Sequence, residues 1–175
     1  MTPVRLRPLR EADLAPLEEN ESREADPWNW FRYTSAEGRR RRFAEDGMIS
    51  AQAGTLAVQT PDGGLAGAVS WHTVQHGPVA VGAALNIGIS LLPAHRGQGY
   101  GSAAQRALAE YLFATTLTER IEAETDVENV PEQRALERAG FTREGVLRHS
   151  QFRAGQWRDN ILYSMLRGEV SLEQF

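Results

Sequence analysis

The apolar run Val79–Leu92 ends at Pro93 and passes through Arg96-Gly97-Gln98-Gly99-Tyr100-Gly101 into a long amphipathic segment, and no other stretch restricts the fold as much. Tyr100, Ala103, Ala104, Ala107, Leu108, Tyr111 and Leu112 follow the i, i+3, i+4, i+7 spacing of a helix with one buried face. Ile121, Ala123, Thr125 and Val127 then alternate with Glu122, Glu124, Asp126 and Glu128, as in a strand with one apolar and one acidic face. Strand, helix and strand in that order form a βαβ crossover with the glycine loop inside it. Gly99 and Gly101 let a ligand approach the main chain, and the first helical turn leaves its N–H groups without intrahelical acceptors. Arg96 adds a charge suited to phosphate oxygens. The stretch therefore predicts an anion cradle, with an ordinary glycine-rich turn as the alternative.

The flanking segments read as antiparallel. Val4, Leu6 and Leu9 against Arg5, Arg7 and Arg10 predict a short opening strand, and Glu11 to Asn20 has helical spacing at Leu14 and Leu17. The aromatic stretch Trp28, Trp30 and Phe31 then breaks regular structure, either as a core plug or as the lining of a binding pocket. Ser35 to Asp46 predicts a helix. Thr55 to Gln59, the turn Pro61-Asp62-Gly63-Gly64, and Leu65 to Val74 predict a hairpin. Asn129 and Pro131 open a helix that buries Leu136 and Ala139 and stops at Gly140. Phe141 to Phe152 and Trp157 to Leu166 predict a last hairpin, turned at Arg153-Ala154-Gly155-Gln156. Together these give a single domain over residues 1–168 and a tail over 169–175. Its class is α+β: a mixed, mostly antiparallel sheet of about seven strands flanked by helices.

Bulk properties narrow the function classes. With 175 residues, 41% of them hydrophobic, the chain suits one domain with a real core. A net charge of -4 with interspersed signs argues against a general nucleic-acid or membrane-surface binder. The one basic run, Arg39 to Arg42, reads as a solvated helix face. The absence of cysteine excludes disulfides, thiolate metal sites and a cysteine nucleophile. His72 and His76 lack a carboxylate cluster nearby in sequence, so no metal site is expected. No apolar leader or membrane-length run is present, and a cytoplasmic protein is expected.

Gly99-Tyr100-Gly101-Ser102-Ala103-Ala104 formally satisfies a dinucleotide fingerprint, but the loop follows a hairpin and only one crossover is present. A Walker A loop fails for want of its Lys-Ser/Thr pair. The chain resembles the GNAT superfamily of acyl-CoA-dependent N-acetyltransferases over nearly its whole length. Arg96, Gly99 and Gly101 match that family's pyrophosphate loop, Pro93 its preceding turn, and Asn129, Gly140 and Phe141 its second signature. The tail Glu144-Gly145-Val146-Leu147-Arg148, followed by Gly155, Trp157, Arg158 and Asp159, looks like the ribosomal-protein (RimJ/RimL-like) branch.

The resemblance implies acetyl-CoA in a splay of the sheet. Its pyrophosphate would lie on the main-chain N–H groups of the loop, with Arg96, Gly97, Gln98, Gly99, Tyr100, Gly101 and Ser102 as cofactor-binding residues. Its pantetheine arm would pass Leu91 and touch Asn129, which also reads as a plain helix cap. Glu124 stands where relatives place a catalytic glutamate, and a solvated acidic strand face is its alternative. Trp28, Trp30, Phe31, His72 and Asn86 are the expected substrate-binding residues, although Asn86 stands where the branch carries a carboxylate and an amide is no base. The family's Tyr or Ser proton donors are replaced by Leu136 and Glu132, which leaves water, Ser150 or Tyr163 to protonate the thiolate, or no acid at all. The expected function is acetyl transfer to a primary amine, either a protein N-terminus or a small molecule. The alternative is a non-catalytic acyl-CoA sensor or interaction module. Oligomeric state is open, a homodimer being one option.

Overall fold

A computed structural model of the protein describes residues 3–22, 26–29, 31, 35–50, 52–78 and 83–171. The strands are β1 (Arg5–Pro8), β2 (Ala53–Gln59), β3 (Leu65–Val74), β4 (Ala84–Leu91), β5 (Arg120–Asp126), β6 (Thr142–Arg153) and β7 (Gln156–Leu166). The helices are α1 (Glu11–Glu19), α2 (Ala36–Asp46), α3 (Tyr100–Thr115) and α4 (Val130–Ala139). All seven strands form one sheet in the order β1-β2-β3-β4-β5-β7-β6. Every neighbouring pair is antiparallel except β4 and β5, which α3 connects as a crossover. The expected α+β class and mostly antiparallel sheet are therefore observed.

The parallel pair is short, and the site depends on that. Its register covers only Leu85↔Ile121, Asn86↔Glu122 and Ile87↔Ala123. Beyond these residues β4 stays on β3 as far as Leu91, and β5 stays on β7 as far as Asp126. The sheet thus splits between its two central strands, leaving main-chain polar groups of both facing a gap. The Ile89 and Leu91 carbonyls find partners elsewhere: Asn29 Nδ2 donates to the first (3.1 Å), and Asn20 Nδ2 (3.2 Å) and Arg96 Nε (2.9 Å) donate to the second.

The apolar stripe of α3 forms the main core. Ala104, Leu108, Leu112 and Phe113 pack with Val69, Trp71, Ile87, Ile121 and Ala123, and with Tyr163 and Met165 of β7. Burying each of the larger side chains contributes about 1.5–3 kcal/mol. Val170, beyond the last strand, also joins this cluster. A smaller cluster of Leu9, Leu14, Leu17 and Ala57 seats α1. Helix α2 buries no residue, and its arginines pair with acids: Arg39 with Glu21, Arg40 with Glu18, Arg41 with Glu45 and Arg42 with Asp46. No helix among the described residues is long and apolar enough to cross a membrane.

Two details of the last hairpin differ from the sequence reading. Arg153 pairs with Gln156, so the turn consists only of Ala154 and Gly155, with φ of 51° and 81°. Two successive left-handed residues match the strand twist and give a tight hairpin. The register of β6 on β7 also jumps between Leu147 and Gln151, where His149 has φ of 50°. Ser150 sits on this bulge.

Candidate active site

A cavity of about 690 Å³ occupies the gap between β4 and β5. One end is formed by the loop before α3, where Arg96, Gly97, Gly99, Gly101 and Ser102 line it. Gly99 caps the helix with φ of 85°, a conformation that favours glycine. The N–H groups that follow it have no intrahelical acceptor, so this end carries the helix's partial positive charge. Arg134 and Arg138 of α4 line the same cavity, one turn apart on exposed positions.

The other end carries two of the residues expected from the sequence to bind substrate. Trp28 and Phe31 line it together with Glu124, Asp126 and Gln151. Trp30 lies outside the described residues. The loop carrying Trp28 is held from two directions. Asp26 accepts from Ser90 Oγ (3.0 Å) and Asn29 Nδ2 (2.9 Å). Arg153 donates to the Trp28 carbonyl, stacks 5.2 Å over its ring, and ion-pairs with Asp126 inside the protein.

The expected acidic face of β5 is not a solvated one. Glu122 is only 2% exposed, bonded to Arg120 Nε (2.5 Å) and lying 2.7 Å from His76 Nε2. Asp126 is 4% exposed against Arg153 and Arg158. Glu124, between them, is exposed to the cavity, and its Oε2 accepts from Asn160 Nδ2 at 3.3 Å. Each flanking carboxylate thus has arginine partners, and Glu124 alone of the three has no ion-pair partner among the described residues.

Several expected site residues have other surroundings. The Arg96 guanidinium folds back on the protein, with Nη2 donating to Asn20 Oδ1 (3.1 Å) and lying 3.8 Å from Asp26. Asn129 is the N-cap of α4, accepting from the Glu132 N–H at 3.4 Å, and it also lines the cavity. Leu91 lines the cavity. Gln98 donates to the Ala94 carbonyl, Tyr100 packs on His95, and neither side chain lines the cavity. His72 is exposed on β3 opposite Asn86, away from it. Ser150 lines a separate shallow groove with Arg148, His149 and Asp159, while buried Tyr163 donates to Glu137 at 3.2 Å.

Sequence reading passed over Glu132 as a mere departure from a pattern. It lines the cavity from the first turn of α4, and its carboxyl interacts with Gln105 of α3. Burial pushes it up to about 8. The signal available was its place one helical turn after Asn129.

A family model described as an acetyltransferase (GNAT) domain matches residues 4–142. The chain belongs to the GNAT acetyltransferase family. Its relatives include a probable N-acetyltransferase, YjcK, from Bacillus subtilis (strain 168), to which this GNAT chain is 31% identical over 137 residues, 77% of its own length and 74% of the relative's. It is 35% identical over 85 residues to the uncharacterized N-acetyltransferase p20 of Bacillus licheniformis, covering 49% of this chain and about half of that protein, 48%. Among solved structures, a spermidine N-acetyltransferase from Vibrio cholerae in complex with CoA and spermine superposes with a TM-score of 0.80 at 21% identity, over 95% of this chain and 96% of that one. RimJ of Mycobacterium smegmatis in complex with CoA-disulfide gives 0.75 at 25% identity, over 95% and 83%. The GNAT chain shares its fold with both.

Proposed function

We propose that the protein is an acetyl-CoA-dependent N-acetyltransferase in which a primary amine attacks the thioester directly, with both substrates bound. One observation carries this reading: a single cavity joins the first turn of α3, the gap between β4 and β5, and Glu124 beside the Trp28 loop. The groups present fit acetyl-CoA. Helix N–H groups with Arg134 and Arg138 suit phosphates, and the parted strands suit an extended arm running past Leu91 and Asn129. Acetyl-CoA bound there supplies the activated acyl group.

On the acceptor side, Glu124 takes the proton that the amine must lose. Asn160 holds that carboxylate in place. The charge of Glu124, which has no ion-pair partner among the described residues, draws in a protonated amine, and Trp28 and Phe31 supply an apolar wall for its stem. The likeness to RimJ supports a peptide N-terminus as acceptor, in keeping with the RimJ/RimL-like branch; the likeness to a spermidine acetyltransferase supports a small cationic amine.

The test is release of free thiol from acetyl-CoA with a panel of peptides, polyamines and amino sugars. Acetyl-CoA binding without release for any acceptor would refute the enzyme and leave an acyl-CoA-binding module. Glu124→Gln is expected to lower turnover while leaving acetyl-CoA affinity nearly unchanged; equal loss of both would make Glu124 structural.

A further inference from the structure

The gap between β4 and β5 has a carboxyl on each side. On β5, Ile121 and Ala123 face α3 in the main core, so Glu124 projects from the opposite face of the sheet, where Asp126 meets Arg153 and Trp28. Glu132 belongs to the α3–α4 face. It stands on the first turn of α4, its N–H is fixed by Asn129, and its carboxyl reaches Gln105, which is itself 2% exposed. Both carboxyls line the one cavity.

Their surroundings differ in kind. Glu124 is exposed and accepts a hydrogen bond from Asn160. Glu132 is half-buried at the cavity wall; partial desolvation raises its pKa and the negative charge of Asp26 adds to that push, against which the Gln105 side chain works. Arg134 and Arg138 of its own helix, Arg96 of the loop, and Glu124 and Asp126 of β5 share the cavity, yet none of these arginines forms an ion pair with it among the described residues. With the group at about 8, Glu132 keeps its proton at neutral pH. Ser150 and Tyr163, the other expected donors, both lie off the cavity.

We propose that Glu132 is the proton donor to the departing sulfur, working across the gap from Glu124. This rests on the acetyltransferase reading above. The amine lone pair forms the N–C bond, the C–S bond breaks with its electron pair kept on sulfur, and the Glu132 proton moves to that sulfur. The surplus proton on nitrogen passes to Glu124. One turnover leaves Glu132 ionised and Glu124 protonated, and exchange with water resets both, so amine plus thioester gives amide plus thiol. An acid with an affinity near that of a thiol, whose pKa is about 8.5, is well matched to this transfer.

Glu132→Gln keeps the shape and the Gln105 contact but has no acidic proton. Thiol release is expected to fall by about 10- to 100-fold in kcat, the low end of general acid effects because a thiolate leaves readily, with KM for acetyl-CoA changed less than about twofold. The wild type should lose kcat as pH rises through about 8, and this limb should be missing in the variant. Glu132→Asp, which retains an acid, should recover part of the loss.

A second readout needs no substrate. The folded-state pKa of Glu132 lies above its ordinary 4.5, so its contribution to stability is full below 4.5 and is lost as pH rises through about 8. Urea midpoints of the ligand-free wild type should fall over that window relative to Glu132→Gln. Undiminished kcat in Glu132→Gln, an alkaline limb that persists in it, or parallel stability curves would each overturn the proposal. No thiol release by the wild type would sink the acetyltransferase reading and the proposal with it.

Discussion

Replacing Arg153 by methionine tests how the acceptor loop is held. The Arg153 and Asp126 side chains are 4% and 2% exposed, so losing the guanidinium leaves a carboxylate inside the protein. Breaking a buried pair from one side costs about 3–5 kcal/mol. The Trp28 stack adds about 0.5–1 kcal/mol and the hydrogen bond to its carbonyl about 1 kcal/mol. Against this, Arg158 Nε lies 3.7 Å from the same Asp126 oxygen and partly compensates it, and methionine refills much of the volume. The net loss should be about 3–4 kcal/mol. For a chain of this length, where 1 kcal/mol shifts Tm by about 2–4 °C, that is a drop of about 6–16 °C.

Urea and thermal unfolding at neutral pH measure it directly. Asp126→Asn should destabilise too, and the double variant should lose less than the sum of the two, because the second change removes the stranded partner. Since Arg153 also fixes the Trp28 loop, KM for the amine should rise more than KM for acetyl-CoA. A loss below about 1 kcal/mol for Arg153→Met, or strict additivity, would refute a buried clamp.

Arg134→Gln with Arg138→Gln should weaken acetyl-CoA binding by about 1–3 kcal/mol and flatten its salt dependence, with unfolding unchanged because both residues are exposed; calorimetric titration at low and high salt checks this, and an unaltered Kd would exclude them as phosphate ligands. The Glu144 carboxyl is pulled down to about 2, chiefly by hydrogen bonding to Arg120 and then to Ser164. A depressed folded-state pKa means that its contribution to stability is present above the ordinary value of 4.5 and lost as pH falls towards 2. Urea midpoints of the wild type and Glu144→Gln should therefore converge across that acid window.

What the sequence made legible was what repeats locally. The 3.6-residue stripe from Tyr100 to Leu112 and the alternation from Ile121 to Val127 are direct images of α3 and β5, and Gly99 marks a backbone turn that few other residues adopt. What it left hidden depends on partners far along the chain. Glu122, Glu124 and Asp126 look equivalent in a strand pattern. They differ only because Arg120 and His76 surround the first, and Arg153 and Arg158 the last. Arg96 lines the cavity at the glycine loop, but its contacts to Asn20 and Asp26 are invisible in the local pattern because those partners are remote in sequence. Glu132 has the residue type and position of an ordinary first-turn acid; only the packing of α4 beside α3 half-buries it at the cavity wall. The bulge that carries Ser150 away from the cavity arises from the pairing of β6 with β7, which no local pattern states.

The two ends of the sheet are poor templates for further strands. Strand β1 offers four residues and closes with Pro8, which has no N–H to donate. Strand β6 is longer, but register breaks between Arg143 and Gly145 and between Leu147 and Gln151 divide its pairing into three short segments. A second chain that tried to extend the sheet would meet a kink before it formed many hydrogen bonds. A variant that deleted residues 148–150 to straighten β6 should therefore aggregate more readily on heating than the natural chain.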